Sequence, residues 1–382
     1  MNLLFYCNNL NPADGGVERV TQLLSSFFEK NNIQCYYSYF GDDYNEISEK
    51  KKIKLNENDS TSLFIERISN FIHTNSIEFI INQDQMSEKT MILFSKLKNN
   101  PNIKTVNCLH INPHFYHYSP LYQTFKFKIK NWIHKLRRGY TLPLQNRRRM
   151  YHLTDKFIVL SNTFKKEIAY EFGINLSTAH IESIPNPIPF PHSEFKFIAK
   201  QNIFLIVARM EENQKNLSAA LRIWKKFEEN NSDYQLILAG YGPDKDKILN
   251  YAHSLNIKRM QFIGKSCHPE NLYKIAKFFL MTSNYEGFGM TLLECMQYGC
   301  IPMVYNSFSS VHDIIINEVN GYLIQYNHEN EFVSKMKFIT SHEQIQLELA
   351  QNAYNTVENN FSLNSIGKKW LTLIHSMTNN SK

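Results

Sequence analysis

Two glutamates and two glycines lie within one short stretch, residues 283–294, which reads Ser-Asn-Tyr-Glu-Gly-Phe-Gly-Met-Thr-Leu-Leu-Glu. Glu286 and Glu294 are its carboxylates, and Gly287 and Gly289 lie between them. An apolar run before the stretch predicts a buried strand, and the apolar spacing after it predicts a helix. The loop is therefore expected at the carboxyl end of a strand, where open α/β sheets bind ligands.

The start of the following helix is predicted to bind an anion. Glycines let the backbone approach a ligand closely, and the unpaired amides at a helix N-terminus lie at the positive end of its dipole. We therefore expect Phe288, Met290 and Thr291 to contact a phosphate together with the two glycines. The alternative is a capping box, in which Thr291 caps the helix and Glu294 bonds only the amide at its own helix terminus. That alternative gives no role to Glu286 or to the glycines.

Two cations follow another predicted strand. Arg209 comes directly after Val-Ala at the strand's end, and Lys215 lies six residues further on, within Gln-Lys-Asn. Cations placed in this way can converge on one anion, such as a diphosphate, although a helix N-terminus does not favour a cation without such a partner. The alternative is a pair of solvated surface charges, the commoner fate of Arg and Lys.

Glycine turns follow two further predicted strands. Gly242, in Gly-Tyr-Gly-Pro, comes after a strand and before a helix, a position that suits a nucleotide contact. Gly15 and Gly16 follow the first strand of the chain. A turn without a ligand is the alternative in both places.

His110 ends a predicted strand, and three interpretations of it are open. It can act at a ligand site, it can be a hydrogen-bonded structural histidine, or it can bind a metal with His114 and His117. Pro113 lies inside that span and disfavours the helical face that the metal site would need.

Composition indicates an ordinary globular protein. The 382 residues suffice for two domains, and 43% are hydrophobic while 20% are charged. The six cysteines are scattered without a Cys-x-x-Cys pair, which favours reduced, buried thiols over zinc. The apolar run at residues 1–7 is too short for a signal peptide and no run is long enough to span a membrane, so we expect a cytoplasmic protein.

Strands and helices are predicted to alternate along the chain, which is typical of a parallel, doubly wound sheet. A proline-rich run at residues 185–191 forbids a helix and marks the predicted domain boundary. The predicted strands cover residues 2–7, 34–40, 78–82, 104–109, 156–160, a stretch ending at 184, 203–208, 234–239, 260–263, 278–282, 301–305 and 322–324.

The motifs together resemble glycosyltransferase family 4, the retaining enzymes of the GT-B fold. The family's paired-glutamate motif resembles residues 286–294, which read Glu-Gly-Phe-Gly, then four further residues, then Glu. The family's basic pair resembles Val-Ala-Arg together with Gln-Lys-Asn. The resemblance implies an α/β protein with two Rossmann-like, doubly wound parallel-sheet domains that face a cleft. Residues 1–188 would bind the acceptor, residues 189–360 would bind the nucleotide sugar, and residues 361–382 would cross back to the first domain.

The resemblance also implies a role for each polar residue. Glu286 would orient the donor sugar, Glu294 would bond the ribose hydroxyls, and His110 would lie near the transferred sugar. Arg209 and Lys215 would neutralise the departing diphosphate, so that the catalysis is mainly electrostatic.

Gly15 and Gly16 would lie close to the diphosphate, Gly242 beside the nucleoside, and the backbone of Ile263 against the base. The donor substrate is a nucleotide-diphospho sugar, and neither a cofactor nor a metal is expected. One departure concerns residues 307–310, Ser-Phe-Ser-Ser, which stand where relatives commonly have Gly-Gly. This departure leaves the identity of the donor sugar open.

The net charge of +7 is concentrated in residues 125–150, which carry nine Lys and Arg and no acid, so the rest of the chain sums to −2. Aromatic and aliphatic residues alternate with these cations, an arrangement that suits an anionic membrane surface. We therefore expect peripheral association with the inner face of the membrane and a lipid-linked saccharide acceptor. The alternative is a helical insertion with a solvated outer face, and no nucleic-acid-binding motif supports a third interpretation.

Two rival functions remain. A nucleotide-sugar epimerase of the same fold would use the donor site alone, and a non-catalytic membrane-attached protein would only bind glycans. The basic segment argues against the first, and the presence of both cations and both glutamates argues against the second. A dehydrogenase would need Gly-x-Gly-x-x-Gly after the first strand, which the chain lacks.

Overall fold

A computed structural model describes residues 1–13, 15–110 and 142–379 of the chain. These residues form two compact units. Unit 1 contains residues 1–13, 15–110, 142–189 and 363–379, and unit 2 contains residues 190–362. None of the described helices is both long and apolar enough to cross a membrane.

Each unit is built on one parallel sheet. In unit 1 the strands are β1 (Asn2–Tyr6), β2 (Gln34–Tyr39), β3 (Lys52–Lys54), β4 (Phe79–Gln83), β5 (Lys104–Leu109), β6 (Lys156–Val159) and β7 (Ile181–Ser183). In unit 2 they are β8 (Gln201–Val207), β9 (Gln235–Ala239), β10 (Met260–Gly264), β11 (Ala276–Met281), β12 (Ile301–Asn306) and β13 (Tyr322–Gln325). The spatial orders are β3-β2-β1-β4-β5-β6-β7 and β10-β9-β8-β11-β12-β13.

The central strands are apolar runs because helices cover both faces of a parallel sheet. Leu3, Leu4 and Phe5 of β1 are fully buried, as are Phe278 and Phe204 in unit 2, whose rings stack at 4.4 Å. The sheet therefore forms the centre of each core.

Helices of the described residues connect the strands. They are α1 (Gly16–Lys30), α2 (Thr61–Thr74), α3 (Glu88–Leu97), α4 (Leu142–Leu153), α5 (Asn162–Phe172), α6 (Glu212–Lys215), α7 (Leu217–Glu228), α8 (Lys245–Ser254), α9 (Pro269–Ile275), α10 (Met290–Gln297), α11 (Val311–Ile314), α12 (Glu329–Thr340), α13 (Glu343–Phe361) and α14 (Leu363–Asn379), with a 3-10 turn at Glu49–Lys51.

The last helix, α14, packs on α1 within unit 1. Gly367 makes this close approach possible, because a Cβ there would lie within 2.6 Å of the Phe27 ring. Trp370 meets Phe28 edge to face, with ring centroids 6.5 Å apart. The aromatic contact extends the core of unit 1 to the final helix.

The predicted α/β class with parallel, doubly wound sheets is confirmed. The predicted strands all form, with ends that differ by one or two residues. The short strand β3 was not predicted, because Lys-Ile-Lys has neither an apolar run nor a clear alternation. It lies at the sheet edge, where short, lysine-bearing strands are common.

Candidate functional site

The loop between β11 and α10 holds Glu286 in a buried position, with hydrogen bonds to both oxygens of its carboxylate. The Lys215 ammonium donates to both carboxylate oxygens of Glu286, at 2.7 and 2.9 Å. The Ser283 hydroxyl donates to the same carboxylate at 2.6 Å. Only 15% of the Lys215 side chain and 8% of the Glu286 side chain are exposed. Lys215 and Glu286 therefore form a buried ion pair, and the Ser283 hydroxyl adds a further hydrogen bond to the carboxylate.

Backbone contacts between two loops keep this pair in place. The Thr282 hydroxyl donates to the carbonyls of Lys215 and Asn216, at 3.3 and 3.0 Å. The Asn284 amide donates to the Gln214 carbonyl at 2.8 Å. The loop that follows β11 and the end of α6 are thus joined on both sides of the ion pair.

Arg209 does not share this buried position. It follows β8, its side chain is 65% exposed, and its guanidinium lies 3.6 Å from the Glu211 carboxylate. The structure thus brings Lys215 together with Glu286, whereas Arg209 presents its charge to solvent. A ligand anion would have to recruit Arg209 from solvent and would meet Lys215 already held by a carboxylate.

Glu294 is buried on α10 and accepts a hydrogen bond from the Tyr273 hydroxyl at 2.9 Å. Burial, with the nearby Glu294 charge, raises the pKa of Tyr273 well above its usual value. Tyr273 therefore remains a donor and fixes the orientation of the Glu294 carboxylate.

The capping-box alternative is wrong. Gly289 occupies the cap position of α10 in a left-handed conformation, with φ +94°, and Thr291 lies one residue inside the helix. Glycine suits this conformation because it has no Cβ. The helix thus begins at Met290, directly after the glycine turn.

Phe288 is buried and packs against Phe361, with ring centroids 6.2 Å apart. Its ring is therefore part of the core, and a ligand contact by Phe288 would have to use its backbone. Residues 307–310 support this turn, since the Ser310 hydroxyl donates to the Phe288 carbonyl at 3.3 Å and the Ser307 hydroxyl donates to the Ser283 carbonyl. The serines that stand in place of the common Gly-Gly therefore stabilise the loop between β11 and α10, a role that sequence reasoning missed.

Gly242 allows two turns to meet. A Cβ at this position would lie 2.4 Å from the Met210 carbonyl oxygen. The amide of Met210 donates to the Tyr241 carbonyl, and the amide of Asp244 donates to the Met210 carbonyl. This backbone packing by itself requires glycine. Ile263 lies near the end of β10 and is half-buried.

In unit 1, Gly15 and Gly16 precede and begin α1. A Cβ on Gly15 would lie 2.5 Å from a Glu18 carboxylate oxygen, whereas a Cβ on Gly16 would meet nothing within 4 Å. The Glu18 side chain is flexible and can move aside, so local packing does not require glycine at either position.

His110 follows β5, and its Nε2 lies 2.5 Å from Gln83 Oε1. Burial lowers the pKa of His110 to about 4, so the imidazole is neutral at neutral pH. His114 and His117, the other members of the possible metal site, lie outside the described residues. Among the residues that the structure describes, no three acidic, histidine or cysteine side chains are grouped closely enough for a metal.

Asp84 was missed by sequence reasoning. It follows β4 with a left-handed φ of +61°, and burial raises its pKa to about 7 against the opposing charge of Arg147. No motif marks it, but its position directly after a buried strand in Asn-Gln-Asp is a signal that could have been used.

The basic segment needs a correction at Arg147. Residues 125–141 lie outside the described part of the chain, and residues 142–150 belong to α4. Arg147 is buried, so it cannot reach a membrane surface as predicted. Arg149 is exposed but forms two hydrogen bonds to Glu88, at 2.8 and 2.9 Å, and Arg148 is exposed.

Comparison with known families finds a match for most of unit 2. Residues 190–356 match the family described as glycosyl transferases group 1. Solved structures agree in fold: the apo form of the lipopolysaccharide outer core galactosyltransferase WaaB has a TM-score of 0.71 at 19% identity, covering 98% of this chain and 99% of that one. HepE of Anabaena, solved with UDP, has a TM-score of 0.76 at 14% identity, covering 98% and 100%. Residues 190–356 are thus similar to the group 1 glycosyl transferases, and the chain as a whole has the GT-B fold.

Curated relatives are similar over part of their length. The amylovoran biosynthesis glycosyltransferase AmsD of Erwinia amylovora is 25% identical over 59% of this chain and 63% of its own length. The lipopolysaccharide 1,6-galactosyltransferase of Escherichia coli is 29% identical over 52% of this chain and 55% of its own length. An undecaprenol-diphosphate-glycan α-1,4-N-acetyl-D-galactosaminyltransferase of Campylobacter jejuni is 26% identical over 61% and 63%. The matches therefore span less than two thirds of these relatives.

Proposed function

We propose that the protein is a retaining glycosyltransferase of family 4. It transfers a hexosyl or N-acetylhexosaminyl group from a nucleotide-diphospho sugar to a hydroxyl of a lipid-linked saccharide, in the synthesis of a surface polysaccharide or related glycan. The observation that carries the proposal is the buried Lys215–Glu286 pair at the carboxyl edge of the second sheet. The domain match and the activities named for the relatives support the reaction class.

Charge stabilisation is the main catalytic task. Breaking the bond between the anomeric carbon and the phosphate oxygen leaves negative charge on the diphosphate and oxocarbenium-like charge on the sugar. An ammonium group has three N–H donors, and Lys215 directs two hydrogen bonds to Glu286, so its third N–H can serve the diphosphate. The exposed Arg209 supplies the second cation. The acceptor hydroxyl attacks from the face that the diphosphate leaves, and its proton passes to the departing phosphate oxygen.

The two glutamates have separate tasks in this proposal. Glu286, held by Lys215 and Ser283, orients the donor sugar and supports the positive charge that develops on it. Glu294, oriented by Tyr273, accepts hydrogen bonds from the ribose hydroxyls. The proposal assigns no step to a metal ion.

A thermal-shift screen of nucleotides and nucleotide-diphospho sugars tests the donor site. A ligand that binds only the folded state at 100 times its Kd stabilises it by about 2.7 kcal/mol, so one base and one sugar should raise the melting temperature selectively. Turnover is then measured with that donor. Glu286→Ala should reduce turnover more than nucleotide affinity, and Glu294→Ala should weaken nucleotide affinity. Negligible, equal effects of both substitutions would refute the assignment.

The proposal places the protein on the inner face of the membrane, with residues 125–150 toward anionic lipid. Flotation with liposomes of increasing phosphatidylglycerol content tests this location. Charge reversal at Arg137, Arg138 and Arg148 should release the protein if the segment binds lipid. Arg147 is left unchanged because it is buried, and reversal there would report on folding. If the fraction of protein that floats depends neither on lipid charge nor on these substitutions, the proposed membrane association is refuted.

A further inference from the structure

The two cations that follow β8 each face a carboxylate. Lys215 donates to Glu286 at 2.7 and 2.9 Å, and the Arg209 guanidinium lies 3.6 Å from the Glu211 carboxylate. These two ion pairs together carry no net charge, so they attract a diphosphate less strongly than two unpaired cations would. The proposed function gives Glu286 a task but leaves Glu211 without one.

The Glu211 carboxylate does not cap the helix that it precedes. Glu211 occupies the cap position of α6, but its side chain makes no capping hydrogen bond. The next residue differs, because both carboxylate oxygens of Glu212 accept from the Ser218 amide at 3.2 Å. A third of the Glu211 side chain is exposed, at 33%. The Glu211 carboxylate can therefore respond to a charged ligand, whereas Glu212 is engaged with the backbone of α7.

The position of Tyr285 indicates that Glu211 faces the same site as Glu286. Burial raises the pKa of the Tyr285 hydroxyl, and the charges of Glu211 and Glu286 raise it further. Charges shift a pKa in this way only at close range, so both carboxylates lie near one hydroxyl. A diphosphate that reaches Arg209 therefore approaches the Glu211 carboxylate as well.

The donor and the product of the proposed reaction differ in charge. In the donor the terminal phosphate is esterified to the sugar, and the diphosphate carries two negative charges. Transfer leaves a terminal phosphate whose second ionisation has a pKa of about 6. The proton that this oxygen receives from the acceptor is therefore lost to water at neutral pH, and the product gains a third negative charge. A carboxylate beside the diphosphate repels the product more strongly than the donor.

We propose that Glu211 promotes release of the nucleoside diphosphate product. Its carboxylate offsets part of the charge of Arg209, so the site discriminates against the additional negative charge that transfer creates. Product release limits the turnover of many enzymes, so Glu211 affects turnover as well as affinity. This inference rests on the proposed function, because that function assigns the diphosphate to Arg209 and Lys215.

The test compares Glu211→Gln, which removes the charge, with Glu211→Asp, which keeps it, in the full chain. The matched control is Glu212→Gln, which removes the same charge one residue along and can still accept from the Ser218 amide. Calorimetric titrations at neutral pH measure the Kd of UDP, GDP, ADP and dTDP, and of inorganic pyrophosphate. The β-methyl ester of each nucleotide is also titrated, because it carries the charge of the donor without its sugar. Each titration is made at low and at high ionic strength.

We expect Glu211→Gln to bind the nucleoside diphosphate about fivefold more tightly and its methyl ester about twofold more tightly, as suits one partly exposed charge. Glu211→Asp and Glu212→Gln should leave both affinities unchanged. The gain should shrink at high ionic strength, because salt screens exposed charges. An unchanged affinity of Glu211→Gln for the nucleoside diphosphate, or an equal gain for the nucleotide and its ester, would overturn the inference.

The same titrations separate this inference from the proposed function. A nucleotide that binds equally well to the unaltered protein and to Glu211→Gln refutes the role of Glu211 and leaves the transferase function standing. Pyrophosphate that binds more tightly to Glu211→Gln, when no nucleotide binds to any form, refutes the transferase function and leaves the effect of Glu211 on anion affinity standing. If neither pyrophosphate nor a nucleotide binds to any form, both proposals are refuted.

Discussion

The carboxyl edges of the two sheets differ in whether their buried polar groups have hydrogen-bond donors. In unit 2, Glu286 accepts from Lys215 and Ser283, and Glu294 accepts from Tyr273. In unit 1, Asp84 Oδ1 and His110 Nδ1 have no donor among the described residues. Both edges follow apolar strands of parallel sheets, so the difference lies in the side chains.

The difference implies different energetic states of the empty protein. A buried charge with a partner stays ionised, whereas one without a partner shifts its pKa and tends to neutralise. The edge in unit 2 is therefore complete before a ligand arrives. The edge in unit 1 costs stability, because Asp84 and His110 lack these donors among the described residues. Removal of the buried carboxylate should therefore destabilise the protein at Glu286 in unit 2 and stabilise it at Asp84 in unit 1.

The largest effect is expected for Glu286→Ala. The substitution leaves the Lys215 ammonium buried without its counterion, and breaking a buried pair in this way costs about 3–5 kcal/mol. We expect about 3 kcal/mol, because Lys215 retains some exposure. The free energy of unfolding of unit 2, followed by urea titration, measures it.

A double substitution tests whether the loss of stability comes from the unpaired ammonium of Lys215. Lys215→Met combined with Glu286→Leu replaces the pair by apolar groups and should recover much of the lost stability, as such replacements often do. If Glu286→Ala alone leaves the stability unchanged, the pair contributes nothing and the contrast between the two edges disappears.

The next largest effect on stability is expected at Gly242, where the cause is steric rather than electrostatic. Gly242→Ala should lower the free energy of unfolding by about 2 kcal/mol, because the new Cβ would overlap the Met210 backbone, which cannot move as a side chain can. Gly16→Ala is the matched control in unit 1, where a Cβ meets nothing within 4 Å at the start of α1. Equal stabilities of the two variants would show that the turns after β8 and β9 can separate.

Asp84→Asn should stabilise the protein, and the gain should depend on pH. The folded state raises the pKa of Asp84 from 3.8 to about 7, so the folded form holds a proton that the unfolded form releases. Stability from this group is therefore present below pH 4, falls as pH rises, and is lost above about 7. Such a shift corresponds to at most about 4 kcal/mol, and we expect about 1 kcal/mol because Asp84 is only half-buried.

The measurement for Asp84 is the melting temperature of both forms between pH 4 and pH 8. The curves should coincide at the acidic end and diverge toward neutral pH, with the Asn form higher. A constant gap would mean that the substitution acts through shape, and an Asn form that is lower throughout would show that the carboxylate has a stabilising partner.

Sequence reasoning succeeded where one local pattern determines the structure. Buried parallel strands are continuous apolar runs, so the strand before Glu286 and the loop that holds it could both be predicted. The turn at the start of α10 could also be predicted, because Gly289 suits the left-handed conformation found between this strand and helix.

Partners could not be predicted, because they depend on tertiary neighbours. Tyr273 lies 21 residues from Glu294, and nothing in its local sequence marks it as a donor. Arg147 was grouped with its basic neighbours by charge alone. Its helical spacing to Met150 and Tyr151, both buried on the same face of α4, is the signal that would have separated it.

The smallest effect is expected for Glu88→Gln, which tests whether burial or geometry sets the strength of an ion pair. Arg149 donates two hydrogen bonds to Glu88, at 2.8 and 2.9 Å, nearly the same distances as between Lys215 and Glu286. Here 67% of the Glu88 side chain and 49% of the Arg149 side chain are exposed. An exposed pair contributes about 0–1 kcal/mol and weakens with salt, so we expect a loss of about 0.5 kcal/mol or less in the stability of unit 1. A loss as large as that of Glu286→Ala would mean that the geometry of the two bonds, rather than exclusion from water, stabilises the pair in unit 2.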